Sequence, residues 1–152
     1  MIGAPVLFDT SVYIPYLRGE AYRTLIEHAV RAGRVRLSAV VLAELYAGTR
    51  TADDKADLDA VRRGYESLHL LVVPTADDWA SAGQAIRRHR RVHGEVRPRD
   101  HIDDVLILIS SARAGAEVVT ENASHFTRWA SLFRRMGIAT RVREVHRRDH
   151  VD

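Results

Sequence analysis

Three carboxylates stand in apolar text where a carboxylate is awkward unless it is used. Asp9 ends the run Val6-Leu7-Phe8, Glu44 interrupts Val40-Val41-Leu42-Ala43 and Leu45, and Asp104 precedes Val105-Leu106-Ile107-Leu108-Ile109. An unpartnered buried carboxylate is expensive, so each must be hydrogen-bonded, paired with a cation or set on a metal ion. Structural roles compete at each position. Asp9 could cap the following helix, Glu44 could face solvent on an amphipathic helix, and Asp103-Asp104 could be first-turn acids that favour a helix dipole. Brought together, such hard oxygen donors suit Mg²⁺ or Mn²⁺, which keep several waters and take further coordination from phosphate.

Convergence requires elements that carry the three acids to one place. Pro5 to Phe8 reads as a short buried strand that hands over to a helix at Asp9-Thr10-Ser11. Helical spacing runs from Tyr22 to Ala32, with Leu25, Ile26, Ala29 and Val30 on one face, and Arg34 to Ser38 reads as a second strand. Ser38 can cap a helix from Ala39 to Ala47 that Gly48 ends, and Ala52 to Leu68 supplies a further helix. Leu70 to Val73, stopped by Pro74, is a third strand, after which Thr75 opens a helix to about Arg91. Val92 to Asp100, with Gly94 and Pro98, reads as a loop; His101 to Ala114 is helical and closed by Gly115. Glu117 to Thr120 is a strand, Phe126 to Phe133 lies on a helix, and a last strand falls near Ile138 to Val145.

Strands alternating with helices, joined by connections too long for hairpins, imply a single three-layer α/β/α sandwich with a central, mainly parallel sheet. One domain is expected over residues 1–145, with His146 to Asp152 as a frayed charged tail. Ligands of such folds bind beyond the carboxyl ends of the strands, where Asp9 and Thr120 both fall. Trp79, Trp129, Phe126 and Phe133 lie on apolar helical faces and are read as core residues or part of a dimer interface.

Composition narrows the function classes. The absence of cysteine removes disulfides, thiolate zinc sites and thiol nucleophiles, and suits a reducing cytosol. The stretch from Met1 to Phe8 has no basic residue and meets Asp9 too early for a signal peptide, and no apolar run is long enough to span a membrane, so a cytoplasmic protein is expected. Of the 23 basic residues only Lys55 is lysine. Arginine's planar fork suits phosphate, although a GC-rich genome favours arginine equally.

The local text around the acids resembles the PIN-domain family, and its toxin members of the VapC type, across nearly the whole chain. Val6-Leu7-Phe8-Asp9-Thr10-Ser11-Val12-Tyr13-Ile14 resembles the opening strand and first acid. Val40-Val41-Leu42-Ala43-Glu44-Leu45-Tyr46-Ala47-Gly48 resembles the second acidic motif. Asp104-Val105-Leu106-Ile107, on to Ala112 and Gly115 and then Val118-Val119-Thr120-Glu121-Asn122 and His125-Phe126, resembles the third acid with its helix and strand. The resemblance implies that Asp9, Glu44 and Asp104 are catalytic and hold one or two Mg²⁺ or Mn²⁺ ions, orienting a water for in-line attack on an RNA phosphodiester and leaving 5′-phosphate and 3′-hydroxyl ends. Ser11 and Thr120 would be supporting hydroxyls that hydrogen-bond a carboxylate or a water held by the metal. It also implies a homodimer and an antitoxin partner that buries a segment across the active site. One departure stands out: Asn122 and His125 occupy positions where family members often carry a fourth acid. Asn122 can ligate through its carbonyl, and Asp103 could compensate, but consecutive helical residues point about 100° apart.

Arg87, Arg90 and Arg91 share a helical face, and Arg97 and Arg99 follow on the loop before Asp104. They are candidates for RNA contact, since carboxylates repel a phosphate backbone and something must offset that; a solvated face or the docking of an acidic partner peptide are the competing uses. His89, His93 and His101 are not read as a zinc site, because nothing places them on one helical face. Other functions remain in contention: a catalytically weak PIN-like module that binds RNA or protein, and a housekeeping RNA-processing nuclease. A phosphohydrolase with Asp9 as nucleophile is disfavoured by Ser11 in place of a second acid and by the lack of lysine near the last strand. Nucleotide hydrolysis is disfavoured by the missing Gly-rich loop.

Overall fold

The computed structural model describes residues 3–152, so Met1 and Ile2, where the signal-peptide reading begins, lie outside the described residues. Among the described residues five strands form one sheet: β1 (Val6–Phe8), β2 (Val35–Ser38), β3 (Leu71–Val72), β4 (Glu117–Thr120) and β5 (Val142–Glu144). Their order is β3-β2-β1-β4-β5, and every pairing is parallel. Among the described residues seven α-helices cover the sheet as a three-layer α/β/α sandwich: α1 (Thr10–Leu17), α2 (Arg23–Arg31), α3 (Ala39–Ala47), α4 (Ala52–Ser67), α5 (Ala76–His93), α6 (Ile102–Arg113) and α7 (Ala123–Arg135). A 3₁₀ turn, Pro98–Asp100, leads into α6. No helix of the described residues is long and apolar enough to cross a membrane.

Short-range chemistry explains many boundaries. The Ser38 hydroxyl accepts the Val40 and Val41 N–H groups to start α3, and Gly48 closes it. Thr51 with Asp54, and Thr75 with Asp78, form reciprocal capping boxes at the starts of α4 and α5. Apolar residues surround α6 on every side, as a helix enclosed by its neighbours requires. All of Val105 to Ser111 is buried, and the Ser110 and Ser111 hydroxyls donate back to the Leu106 and Leu108 carbonyls at 2.6 and 2.7 Å. Arg113 fixes the far end of this helix. Its Nε donates to the buried Asp78 carboxylate at 2.9 Å and its Nη2 to the Val73 carbonyl at 2.8 Å, tying α6 to the start of α5.

Two expectations are corrected. Trp79 is not a core residue: it is 54% exposed while Trp129, Phe126 and Phe133 are fully buried. At the first turn of α5 the inward position belongs to Asp78, which meets Arg113, and Trp79 is turned about 100° away into solvent. The segment from His146 to Asp152 is not frayed either. The Asp152 carboxylate accepts the Arg23 and Thr24 N–H groups at 2.6 and 3.3 Å, supplying α2 with the cap that its own N-terminal residue, Tyr22, does not give. The Tyr22 N–H donates to the His150 carbonyl at 2.9 Å, and Arg147 pairs with Glu121 at 3.1 Å and Glu20 at 3.5 Å. Burial alone would raise the Glu121 carboxyl, but the hydrogen bonds from Arg147 and Tyr22 hold it below its ordinary value.

Replacing Arg113 by Ala strands the Asp78 carboxylate without its cation. The variant is expected to lose about 2 kcal/mol, the scale of a hydrogen bond to a buried charge, read from the midpoint of urea unfolding. An unchanged midpoint would mean that α6 is held by its apolar contacts alone.

Candidate functional site

The strand order reverses between β1 and β4. From β1 the chain builds outward through β2 to β3, then returns to place β4 on the other side of β1. The crevice beyond the carboxyl ends of these two strands is where ligands of open parallel sheets bind. Asp9 follows β1 directly, and its N–H donates to the Val119 carbonyl of β4 at 2.9 Å, so the ladder itself sets its position.

The Asp9 side chain does not cap α1, which sets aside that structural reading. Its Oδ2 instead accepts the Ser11 hydroxyl at 3.0 Å and the Thr120 hydroxyl at 2.9 Å. Both hydroxyls are themselves held: the Glu121 N–H donates to Ser11 at 3.0 Å and the Asn122 N–H to Thr120 at 2.9 Å. Asp9 is thus a buried carboxylate fixed by oxygen donors rather than by a cation.

Glu44 lies on α3 and is half-buried rather than solvent-facing. Its carboxylate accepts the hydroxyl of Thr10, a site residue that sequence reading missed although it adjoins Asp9. Burial raises the Glu44 carboxyl; the Thr10 hydrogen bond opposes this, and the charges of Asp9, Asp103 and Asp104 add to it. Asp104 occupies the first turn of α6, half-buried, and is pushed up to about 6 by burial and by Asp9 and Asp103, against the opposing fields of His125 and Arg128. Asp103 is exposed beside it. Asn122 is exposed at the start of α7, its side chain free of any cap.

The structure therefore brings Asp9, Glu44 and Asp104 within reach of one another's charge, with Asp103 at the rim. None of Asp9, Glu44 and Asp104 joins an ion pair among the described residues. As the side chains stand, no three His, Asp or Glu groups among the described residues close tightly enough to grip an ion. The donor chemistry fits a hard divalent cation, which would offset the charge that burial makes costly.

Arg87, Arg90, Arg91, Arg97 and Arg99 are exposed, and Arg90 pairs with Glu95 at 3.1 Å; none is hydrogen-bonded to the site carboxylates. The groups whose fields oppose the rise at Asp104 are His125 and Arg128 of α7, and Arg128 carried no sequence signal of its own. For the histidines it is the premise that changes, since two of them do share a helical face. His89 and His93 are one turn apart on α5 with ring centroids 4.6 Å apart, and Trp129 joins them to His101, lying 4.8 Å from His89 and 5.5 Å from His101. The spacing of four residues was the overlooked signal.

Two cavities lie away from the carboxylates. One of about 330 Å³ is lined by Tyr16, Leu17, Val30, Leu45, Leu58 and Leu68. The other, of about 720 Å³, shares Leu17, Leu45 and Leu58 and adds Arg18, Arg50 and Asp54.

The PIN-domain family profile matches residues 6–140. In fold the chain is similar to a chain of the DNA-bound VapBC complex of Salmonella typhimurium, at TM-score 0.64 and 21% identity over 93% of this chain and 98% of that one. It is also similar to a chain of VapBC2 from Rickettsia felis bound to a promoter DNA fragment, at 0.63 and 17% over 93% and 98%. A chain of FitAB bound to IR36 DNA gives 0.63 and 16% over 91% and 94%. No curated protein sequence matches the chain.

Replacing Thr120 by Val keeps the side chain's volume and removes one of the two hydroxyls on Asp9. Mn²⁺ affinity measured by calorimetry is expected to fall at least tenfold, the usual cost of losing a group that orients a ligand. Unchanged affinity would mean that the Ser11 hydroxyl alone is enough to hold Asp9 in place.

Proposed function

The chain belongs to the PIN-domain family, and on that premise we propose that it is a metal-dependent endoribonuclease, the toxin of a toxin–antitoxin pair, cutting RNA at the crevice formed by Asp9, Glu44 and Asp104. The observation that carries this reading is the crowding of these carboxylates, with Asp103 beside them, at the switch point of a parallel sheet and without a basic ion-pair partner. A structural network would pair such acids with arginine, which this chain has in abundance.

Asp9, Glu44 and Asp104 would hold Mg²⁺ or Mn²⁺, with Asp103 or the Asn122 carbonyl as further donors. A divalent ion there supplies Lewis-acid stabilisation of the phosphate and activates water for attack. The chain's own residues supply the order. Ser11 and Thr120 pin the Asp9 carboxylate, Thr10 aims that of Glu44, and the enclosed α6 keeps Asp104 from swinging away. The carboxylates repel RNA until neutralised, so metal binding and substrate binding are coupled.

The antitoxin has a place to dock. The two cavities beside α1 and α4 share Leu17, Leu45 and Leu58; the smaller is mainly apolar, with Leu17, Val30 and Leu68 44, 52 and 67% exposed, and the larger adds charged residues. An amphipathic segment fits this division. Trp79, exposed on α5, offers a contact for a second copy in a homodimer. The alternative of a catalytically weak binding module draws on Asn122 and His125 standing in place of a fourth acid.

The test is cleavage of a fluorogenic single-stranded RNA with Mg²⁺, with Mn²⁺ and with chelator, beside Asp9→Ala and Asp104→Ala. Wild type is expected to cut only with metal, and each variant to lose at least a hundredfold in rate, on the order of removing a group that stabilises the transition state. Equal inactivity of folded, antitoxin-free wild type and variants on single-stranded and structured RNA would support the binding module instead. Leu68→Asp is expected to abolish complex formation with the product of the adjacent reading frame while leaving cleavage intact. Retained binding would place the antitoxin elsewhere.

A further inference from the structure

The site is lopsided in charge. Carboxylates reach it from β1, α3 and α6, whereas α7 brings His125 and Arg128, three residues apart and therefore on one helical face. Both side chains are exposed, and neither joins an ion pair among the described residues. Elsewhere on this surface arginines do find carboxylates: Arg113 meets Asp78, Arg143 meets Glu117 and Arg147 meets Glu121.

Arg128 is also held in place. Its Cζ lies 5.4 Å from the ring centroid of Trp129, which is fully buried and so a fixed platform. The same indole packs against His89 of α5 and His101 at the start of α6, so the platform is locked to the helix that carries Asp104. A guanidinium stacked on an indole keeps its planar fork of donors free at the edge.

We infer that Arg128, with His125 one turn before it, forms the phosphate-binding edge of the crevice and grips RNA backbone oxygens opposite the carboxylates. This rests on the nuclease reading and assigns its substrate contact to α7 rather than to the exposed arginines of α5 and the following loop. A fixed cation is what the crevice needs there. The acids and their metal draw the phosphate from one side, and Arg128 keeps the remaining negative oxygens from being repelled by Asp9 and Asp104. His125, at the start of α7, adds a ring N–H donor to the same face.

The test separates RNA grip from metal grip. Binding of a short single-stranded RNA is followed across a salt series at fixed Ca²⁺, a divalent ion that neutralises the carboxylates, for wild type, Arg128→Gln, Arg128→Lys and His125→Gln, and Mn²⁺ affinity is measured by calorimetry on metal-free samples of the same proteins. Arg128→Gln is expected to lower the slope of log affinity against log salt by about 0.7, the loss of one phosphate contact on a single strand, and to bind Mn²⁺ no more weakly than wild type. Arg128→Lys should keep the slope, since the charge remains. An unchanged slope in Arg128→Gln, or weakened Mn²⁺ binding in its place, would overturn the inference while leaving the nuclease reading standing. Wild type that binds neither this strand nor a structured RNA at any salt would overturn both.

Discussion

The rest of the structure depends on holding several carboxylates in one half-buried crevice without arginine or lysine to pair them. Each acid loses hydration and feels the others, which is why Glu44 is raised and Asp104 reaches about 6. Left alone, such a cluster would open or take up protons. Hydroxyl donors from Ser11, Thr120 and Thr10 stabilise Asp9 and Glu44 without cancelling their charge. A cation-binding site needs this: ligands that are fixed, still negative and short of a partner.

The fold converts that constraint into geometry. Parallel pairing puts the carboxyl ends of β1 and β4 side by side, so Asp9 and Thr120 meet although they are far apart in sequence. An α6 buried from Val105 to Ser111, anchored at its other end by Arg113 on Asp78, gives Asp104 a rigid base. The last residues of the chain reach the same region. Arg147 and Tyr22 hold the Glu121 side chain, and the backbone N–H of Glu121 donates to Ser11, which in turn donates to Asp9. A run of contacts thus joins the surface to the first acid.

How much of this could be read from sequence follows from the range of each interaction. Strand and helix boundaries set by neighbours were legible: Ser38 and Gly48 bracket α3 as a cap and a stop should. The three principal acids were legible because each breaks an apolar run. Trp79 was misplaced because apolar spacing could not show that Asp78, paired with Arg113 thirty-five residues on, would take the inward position. The closing segment looked frayed because its partners, Arg23 and Thr24, lie near the other end of the chain. Arg128 was one arginine among many until the indole of Trp129 and the charge of Asp104 singled it out.

On this reading the carboxylate crevice is a divalent-cation site. Diffraction at the manganese absorption edge from crystals soaked in Mn²⁺ tests it without reference to activity. An anomalous peak bounded by the side chains of Asp9, Glu44 and Asp104 is expected. A crevice without such a peak, in crystals that bind Mn²⁺ elsewhere or not at all, would contradict it.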